Sequence, residues 1–284
     1  MRVQITNNGS DTITLRESTI AGFRIFVEAT GELTFDAKSC FLTATLSRAG
    51  GSETILSGQL LPLAKANNPG NAENQSATAD GYTGIAYVVE FNNAVINLRG
   101  DDSITATLSV AGAVNATTTF SEITGQGAEA YVPNIQVVPI NKNNSSLPVD
   151  MGGNVSKCAL IQDGNGWSVT GVTGRHSLGG FDYIKPELAA MALEQRPGVT
   201  STAITDRVSC VFYNGWTADR FQLTLTVDTA ETSSAWLVWY GGRSRDMAGA
   251  ADFVATQEKI IARNQAKFGA FPLGRLDTTS AKKD

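Results

Sequence analysis

Apolar and polar positions alternate along most of this chain, in short runs separated by turn residues. Between Asp102 and Val110, Ile104, Ala106, Leu108 and Val110 share one parity, and Ser103, Thr105, Thr107 and Ser109 share the other. Side chains on a strand point to opposite faces at every step, so this run predicts a half-buried strand. The run Asp219 to Asp228 repeats the pattern with Phe221, Leu223, Leu225 and Val227. Each run follows another apolar stretch, Tyr87 to Asn93 in the first half and Ser209 to Asn214 in the second. Phe91 and Phe212 are 121 residues apart, and Asp102 and Asp219 are 117 apart. Two copies of one β-sandwich joined head to tail produce such a repeat.

Further strands are predicted at Thr12–Leu15, around Thr30-Gly31 as two pieces between Phe23 and Phe35, at Phe41–Ser47 and at Ser52–Leu56. Ala49-Gly50-Gly51 reads as a hairpin turn between the last two. The polar stretch from Asn67 to Tyr82 predicts an exposed loop or excursion, and Ala116–Phe120 completes the first set of strands. The connection from Gly125 to Gly153 is rich in Pro, Asn and Gly, with one candidate strand at Ile135–Ile140. A domain boundary is placed near residue 130, giving units 1–130 and 131–246, with a C-terminal segment 247–284. In the second unit, Ser156–Ile161, Trp167–Thr170 and Ala235–Tyr240 read as strands. Pro186 opens a predicted helix running to Glu194, with Glu187 in its first turn and Pro197-Gly198 beyond its end. Met247, Ala250, Ala251, Val254, Ile261 and Phe268 share a helical stripe, which predicts a helix over Ala248–Lys267.

A length of 284 residues suits two domains. Charged residues make up only 17%, against about 25% in ordinary soluble chains. Ser, Thr, Asn and Gly take their place, and such a neutral surface suits broad faces that meet other protein surfaces. The net charge of -5 argues against direct, sequence-specific nucleic-acid binding, which needs clustered Lys and Arg. Cys40, Cys158 and Cys210 are far apart and odd in number, with no CxxC spacing, so they read as buried thiols of a reducing cytoplasm. The polar start, Met1 to Gly9, lacks the apolar core of a signal peptide. No run approaches the roughly 18 apolar residues of a membrane span. The expectation is a protein made in the cytoplasm and soluble there.

Candidate chemistry is thin. His176, the only histidine, adjoins Ser177 in a Gly-rich stretch. A Ser–His dyad is assembled from distant chain positions, so the neighbouring pair reads as a loop. The glycines there match neither GxGxxG nor GxxxxGK[ST]. Asp101-Asp102 and Asp163-Gly164-Asn165-Gly166 read either as turn formers or as oxygen ligands of an interface metal; the second lacks the distal Glu of an EF-hand loop. No metal-ligand set, catalytic residue or cofactor site is assigned. Trp167, Trp216, Trp236 and Trp239 all lie in the second half. Trp236 and Trp239, three apart, face opposite sides of a strand, as core packing or as a platform for sugar rings.

Phe23 to Thr34 resembles the first long strand of double jelly-roll major capsid proteins of tailless icosahedral bacteriophages. Asp219 to Ala230, leading into Ala235–Tyr240, is similar to the closing strand pair of the second barrel in corticovirus-type capsid proteins. The resemblance implies an all-β fold of two tandem eight-stranded antiparallel jelly rolls, with short helices and a C-terminal helix. It implies a non-enzymatic structural subunit of the virion, synthesised in the host cytoplasm, that forms homotrimeric, pseudo-hexameric capsomers and tiles an icosahedral shell. Implied partners are further copies of itself, penton and minor capsid proteins, and an internal membrane. Arg243, Arg245, Lys259, Arg263, Lys267, Arg275, Lys282 and Lys283 make the last forty-odd residues basic. That segment reads either as a solvated helix or as a face meeting anionic lipid. The second function class is a phage spike or receptor-binding β-sandwich protein recognising host glycans. The third is a carbohydrate-active or other enzyme on a sandwich.

Overall fold

A computed structural model describes residues 1–67, 75–79, 81–92, 94–127, 129, 131–150, 155–163, 169–176, 179–183, 209–217, 222–230 and 234–244. The predicted helices at Pro186–Glu194 and Ala248–Lys267 lie outside these. The chain divides into two compact units, Met1–Arg243 and Ser244–Asp284, and the sheets are built from the first.

The first half carries β1 (Arg2–Thr6), β2 (Gly9–Leu15), β3 (Thr19–Thr34), β4 (Phe41–Arg48), β5 (Gly51–Gln59), α1 (Leu60–Asn67), β6 (Gln75–Ala79), β7 (Tyr82–Glu90), β8 (Ile96–Asn97), β9 (Ser103–Val110) and β10 (Val114–Thr124). The second carries β11 (Tyr131–Pro139), β12 (Ser146–Asp150), β13 (Val155–Asp163), β14 (Val169–His176), β15 (Gly179–Tyr183), β16 (Ser209–Thr217), β17 (Gln222–Val227) and β18 (Ser234–Ser244). They form three sheets: β1-β10-β3-β7-β6 with β8 beside β3, β16-β13-β18-β11-β5-β4-β9-β2, and β12-β17-β14-β15.

The same wiring occurs twice. In the first half β1-β10-β3-β7 faces β2-β9-β4-β5; in the second, β11-β18-β13-β16 corresponds to the former and β12-β17-β14-β15 to the latter. Taken in chain order, the eight strands of each half enter their sheets in the same sequence of places. That is the double jelly roll expected from the sequence: paired antiparallel sheets leaving only short edges. The one parallel pairing among the described residues joins the halves, Leu56 and Ser57 of β5 beside Ile135 and Gln136 of β11. It makes the middle sheet continuous across both sandwiches. Gly58 permits this approach, because a Cβ there would lie 2.2 Å from Val137 Cγ2.

The first core follows the alternation. Phe23, Ile25 and Val27 of β3 face Leu42, Ala44 and Leu46 of β4 and Ile104, Ala106 and Leu108 of β9, all buried. Phe23 meets Phe91 edge-on at 5.7 Å and Phe120 at 5.6 Å. In β17, Leu223, Leu225 and Val227 are buried while Gln222, Thr224 and Thr226 are exposed.

β13 is buried on both faces, which explains its nearly continuous apolar run. Ala159 and Ile161 join the first core with Trp236, Val238 and Tyr240 of β18, while Cys158 and Leu160 are buried on the opposite face. The cover over Ala159 and Ile161 comes from α1, which buries Leu60, Leu63, Ala64 and Ala66.

Two local expectations need correction, and one element was not anticipated. The two pieces around Thr30-Gly31 are one strand, β3. Residues between Ala29 and Thr34 bulge opposite Asn115, and Gly31 takes φ 85° there, so the glycine bends the strand without ending it. The polar stretch after Asn67 is not all loop, since Gln75–Ala79 pairs with Tyr82–Ala86. Leu60–Asn67 is helical, with Pro62 tolerated in the first turn, where its missing N–H has no partner to lose.

Candidate functional site

The sequence singled out few reactive groups, and the fold does not gather them. His176 ends β14, its backbone opposite Gly179 of β15; Ser177 lies outside the described residues. Asp102 turns toward Arg48, whose Nε lies 3.2 Å from Asp102 Oδ2. Asp163 ends β13 and pairs with Lys38 at 2.9 Å, which raises the pKa of that lysine, while the rest of its turn is not described. Among the described residues no three His, Cys, Asp or Glu side chains are grouped to hold a metal ion. Trp236 is buried and Trp239 half-buried, on opposite faces of β18. Cys40 and Cys158 are buried; burial pushes the Cys40 thiol up to about 11 and raises that of Cys158 further. No helix of the described residues is long and apolar enough to cross a membrane.

Two buried polar clusters hold the architecture. Arg48, at the end of β4, donates to both carboxylate oxygens of Glu129, at 2.8 and 2.6 Å, and the Glu129 side chain is fully buried. Glu129 also accepts from the Asn97 backbone N–H at 2.9 Å. This fork ties the segment entering the second half to the first sandwich. Glu129 holds the Arg48 guanidinium above its usual pKa. The second cluster sits where α1 meets β13. The Lys157 ammonium donates to the Ala66 carbonyl at the helix end and lies 5.1 Å from the Tyr240 ring centroid. Tyr240 donates to Asn67 Oδ1 at 3.3 Å. Asn67 in turn mimics a strand for β7, accepting from Glu90 N at 3.1 Å and donating to Glu90 O at 3.5 Å. Sequence reasoning missed Arg48, Glu129 and Lys157, because single charges in strand or loop segments give no periodic signal.

What the fold presents outward is broad sheet surface. On the outer face of the middle sheet, Ser10 faces Ser109, Thr12 faces Thr107 and Thr14 faces Thr105. The next ladders set Thr107 and Thr105 beside Thr43 and Thr45, and those beside Ser57 and Thr54. Hydroxyls bridge the strands at 2.8 Å between Thr12 and Thr107 and at 3.1 Å between Ser10 and Ser109. None of these facing side chains is charged. The outer face of β1-β10-β3-β7 differs: Phe26 sits in its centre, 38% exposed, opposite Thr119 on one side and Ala86 on the other. Two strands at sheet ends, β1 and β15, each have a neighbour on one side alone among the described residues.

Among the described residues the arrangement offers broad sheet faces, short edges and no grouping of His, Cys, Asp and Glu side chains. No protein-family model matches the chain, and no curated protein matches it in sequence. Among solved structures it is similar to the crystal structure of the STIV MCP, with a TM-score of 0.50 and 14% identity over 86% of this chain and 97% of that one. The atomic structure of Sulfolobus Turreted Icosahedral Virus gives 0.49 at 13% identity, over 93% and 98%. The major capsid protein P2 from Bacteriophage PM2 gives 0.41 at 10%, over 87% and 99%. The first likeness is one of fold and spans nearly the whole of both chains.

Proposed function

We propose that this chain is the major structural subunit of a virion shell. Three copies would form a capsomer with six similar sandwiches around a threefold axis, and capsomers would tile an icosahedral lattice. The observation that carries the reading is the duplicated wiring: two jelly rolls of the same strand order, fused side by side through one continuous sheet. The likeness in fold to the STIV MCP supports it. So does the uncharged Ser/Thr face, because desolvating hydroxyls costs far less than desolvating charges. Closed rotational symmetry would keep such self-association from running into open fibres. On this reading the division near residue 130 separates two shell-forming sandwiches, and the basic segment after Asp246 faces inward toward anionic lipid.

The test is direct. Purified chain, examined by multi-angle light scattering and electron microscopy, is expected to give homogeneous trimers with a pseudo-hexagonal outline. In particles, it is expected to be the most abundant protein. A scarce particle component that binds glycans, or a chain that remains monomeric, would overturn the reading.

A further inference from the structure

The buried lysine under α1 stands beside an amide primed for attack. Lys157 is 8% exposed and donates to the Ala66 carbonyl. The next residue is Asn67, whose side-chain oxygen accepts two hydrogen bonds, from Tyr240 Oη at 3.3 Å and from the Glu90 backbone N–H at 3.1 Å. Two donors on one carbonyl oxygen polarise it and stabilise the negative charge of a tetrahedral adduct. The Lys157 ammonium lies 5.1 Å from the centroid of the ring that carries the first donor. Burial lowers Lys157 to about 8, so a fraction of it is neutral amine near neutrality, and that form is the nucleophile. Around it, Glu90 of β7 opposes the shift, and α1 contributes Lys65, which donates to the Gln162 carbonyl at 3.2 Å. Burial on β18 keeps the Tyr240 hydroxyl protonated, so it remains a donor while the lysine titrates.

We propose that Lys157 and Asn67 react with each other to form a side-chain amide, which ties the end of α1 to β13. Nζ reaches the amide carbon by leaving the carbonyl of one residue for the side chain of the next. The neutral Nζ adds to Asn67 Cγ, and the charge that develops on Oδ1 faces Tyr240 Oη and the Glu90 N–H. A proton passes from Nζ to Nδ2, the Cγ–Nδ2 bond breaks, the carbonyl re-forms and ammonia leaves. One amine and one amide go in; one amide and one ammonia come out. The product closes residues 67 to 157 into a covalent ring that spans both sandwiches. It removes a buried charge and restricts the unfolded chain, and both effects stabilise the joint. Chain that has not reacted titrates at Lys157 as a buried amine.

The test uses the full chain, purified below pH 7 and then incubated at a series of pH values from 6 to 10. Tryptic mass spectrometry is expected to find the peptides of residues 67 and 157 joined and lighter by one ammonia, in an amount that grows with time. Succinimide formation at an asparagine also expels ammonia, but it leaves the two peptides separate. The rate should rise about tenfold per pH unit below pH 8 and level off above it, whereas an exposed lysine would keep gaining to about 10.4. Lys157→Met and Asn67→Ala should give no joined peptide. Tyr240→Phe keeps the ring and should slow joining about a hundredfold, the loss expected on removing one donor from the oxygen. Reacted wild type should unfold at higher urea than the same chain before incubation. Folded wild type that yields no joined peptide at pH 9, or a Tyr240→Phe chain that joins at the wild-type rate, overturns the inference. Neither result touches the capsid reading, which is decided by trimer formation.

Discussion

Lys157 holds its ammonium 5.1 Å from the centroid of the Tyr240 ring, so a strand of the second half carries a nearly buried charge directly under the helix of the first. The Ala66 carbonyl at the end of α1 accepts its hydrogen bond. A cation there complements the negative end of the helix. Burial nevertheless penalises the charged form and lowers the lysine from 10.5 to about 8, with Glu90 opposing the shift.

This depressed lysine makes stability depend on pH. Between pH 8 and 10.5 the unfolded chain binds the proton that the folded chain has released, so this group's contribution to stability rises with pH. The full gain is at most about 3 kcal/mol. Tyr240 and Cys40, both held protonated by burial, act in the opposite sense as pH rises through their unfolded values. The lysine is therefore isolated by difference. Lys157→Met is expected to be more stable than wild type at pH 7, with the advantage shrinking as pH rises toward 10, read from urea midpoints. An advantage that does not change with pH would contradict this account of Lys157.

Arg48 and Glu129 predict a larger, pH-independent loss near neutrality. The Glu129 end of the fork is fully buried, and removing Glu129 leaves the partly exposed Arg48 with Asp102 alone. Glu129→Ala is expected to cost about 3–5 kcal/mol, and pairing it with Arg48→Met should recover part of that cost. Thermal and denaturant melts of the two singles and the double decide it. Equal, additive losses would show that the two side chains act independently.

Gly58 controls the joint between the halves. An alanine there places its Cβ 2.2 Å from Val137 Cγ2, too close to be absorbed without movement of β5 or β11. Gly58→Ala should cost about 1–3 kcal/mol, and Val137→Gly in the same chain should restore part of it, because Val137 Cβ would itself lie 2.6 Å from the new Cβ. Failure of the second change to rescue the first would mean that the two strands are not held at this spacing.

Cys40 and Cys158 should resist alkylation in the folded chain. Burial keeps both as thiols, and the thiolate is the reactive form. With iodoacetamide at pH 8, mass spectrometry is expected to find both modified only after denaturant is added. Rapid labelling of either in the native protein would place it at the surface.

Much of this fold is legible in the sequence because half-buried strands write their two faces into alternating positions. The repeat offset of 121 and 117 residues matches equivalent elements: the runs at Tyr87 and Ser209 lie in β7 and β16, and those at Asp102 and Asp219 contain β9 and β17. The hairpin at Ala49-Gly50 also follows from its glycines, with Arg48 opposite Gly51. Other elements were hidden for physical reasons. Leu60–Asn67 is a short apolar run, and a buried helix of eight residues has the same composition as a buried strand. β3 reads as two strands because Gly31 looks like a terminator, yet a bulge absorbs it. The pairing of β5 with β11 joins residues about eighty positions apart and leaves no local trace. Neither do Glu129 and Lys157, whose partners are set by tertiary packing.

The central claim is that two like sandwiches in one chain exist to associate with further copies. Sedimentation-equilibrium mass of the purified full chain across a hundredfold concentration range tests it most directly. The account predicts a species of three times the 30.0 kDa chain mass that persists on dilution. A single 30.0 kDa species at every concentration would contradict it.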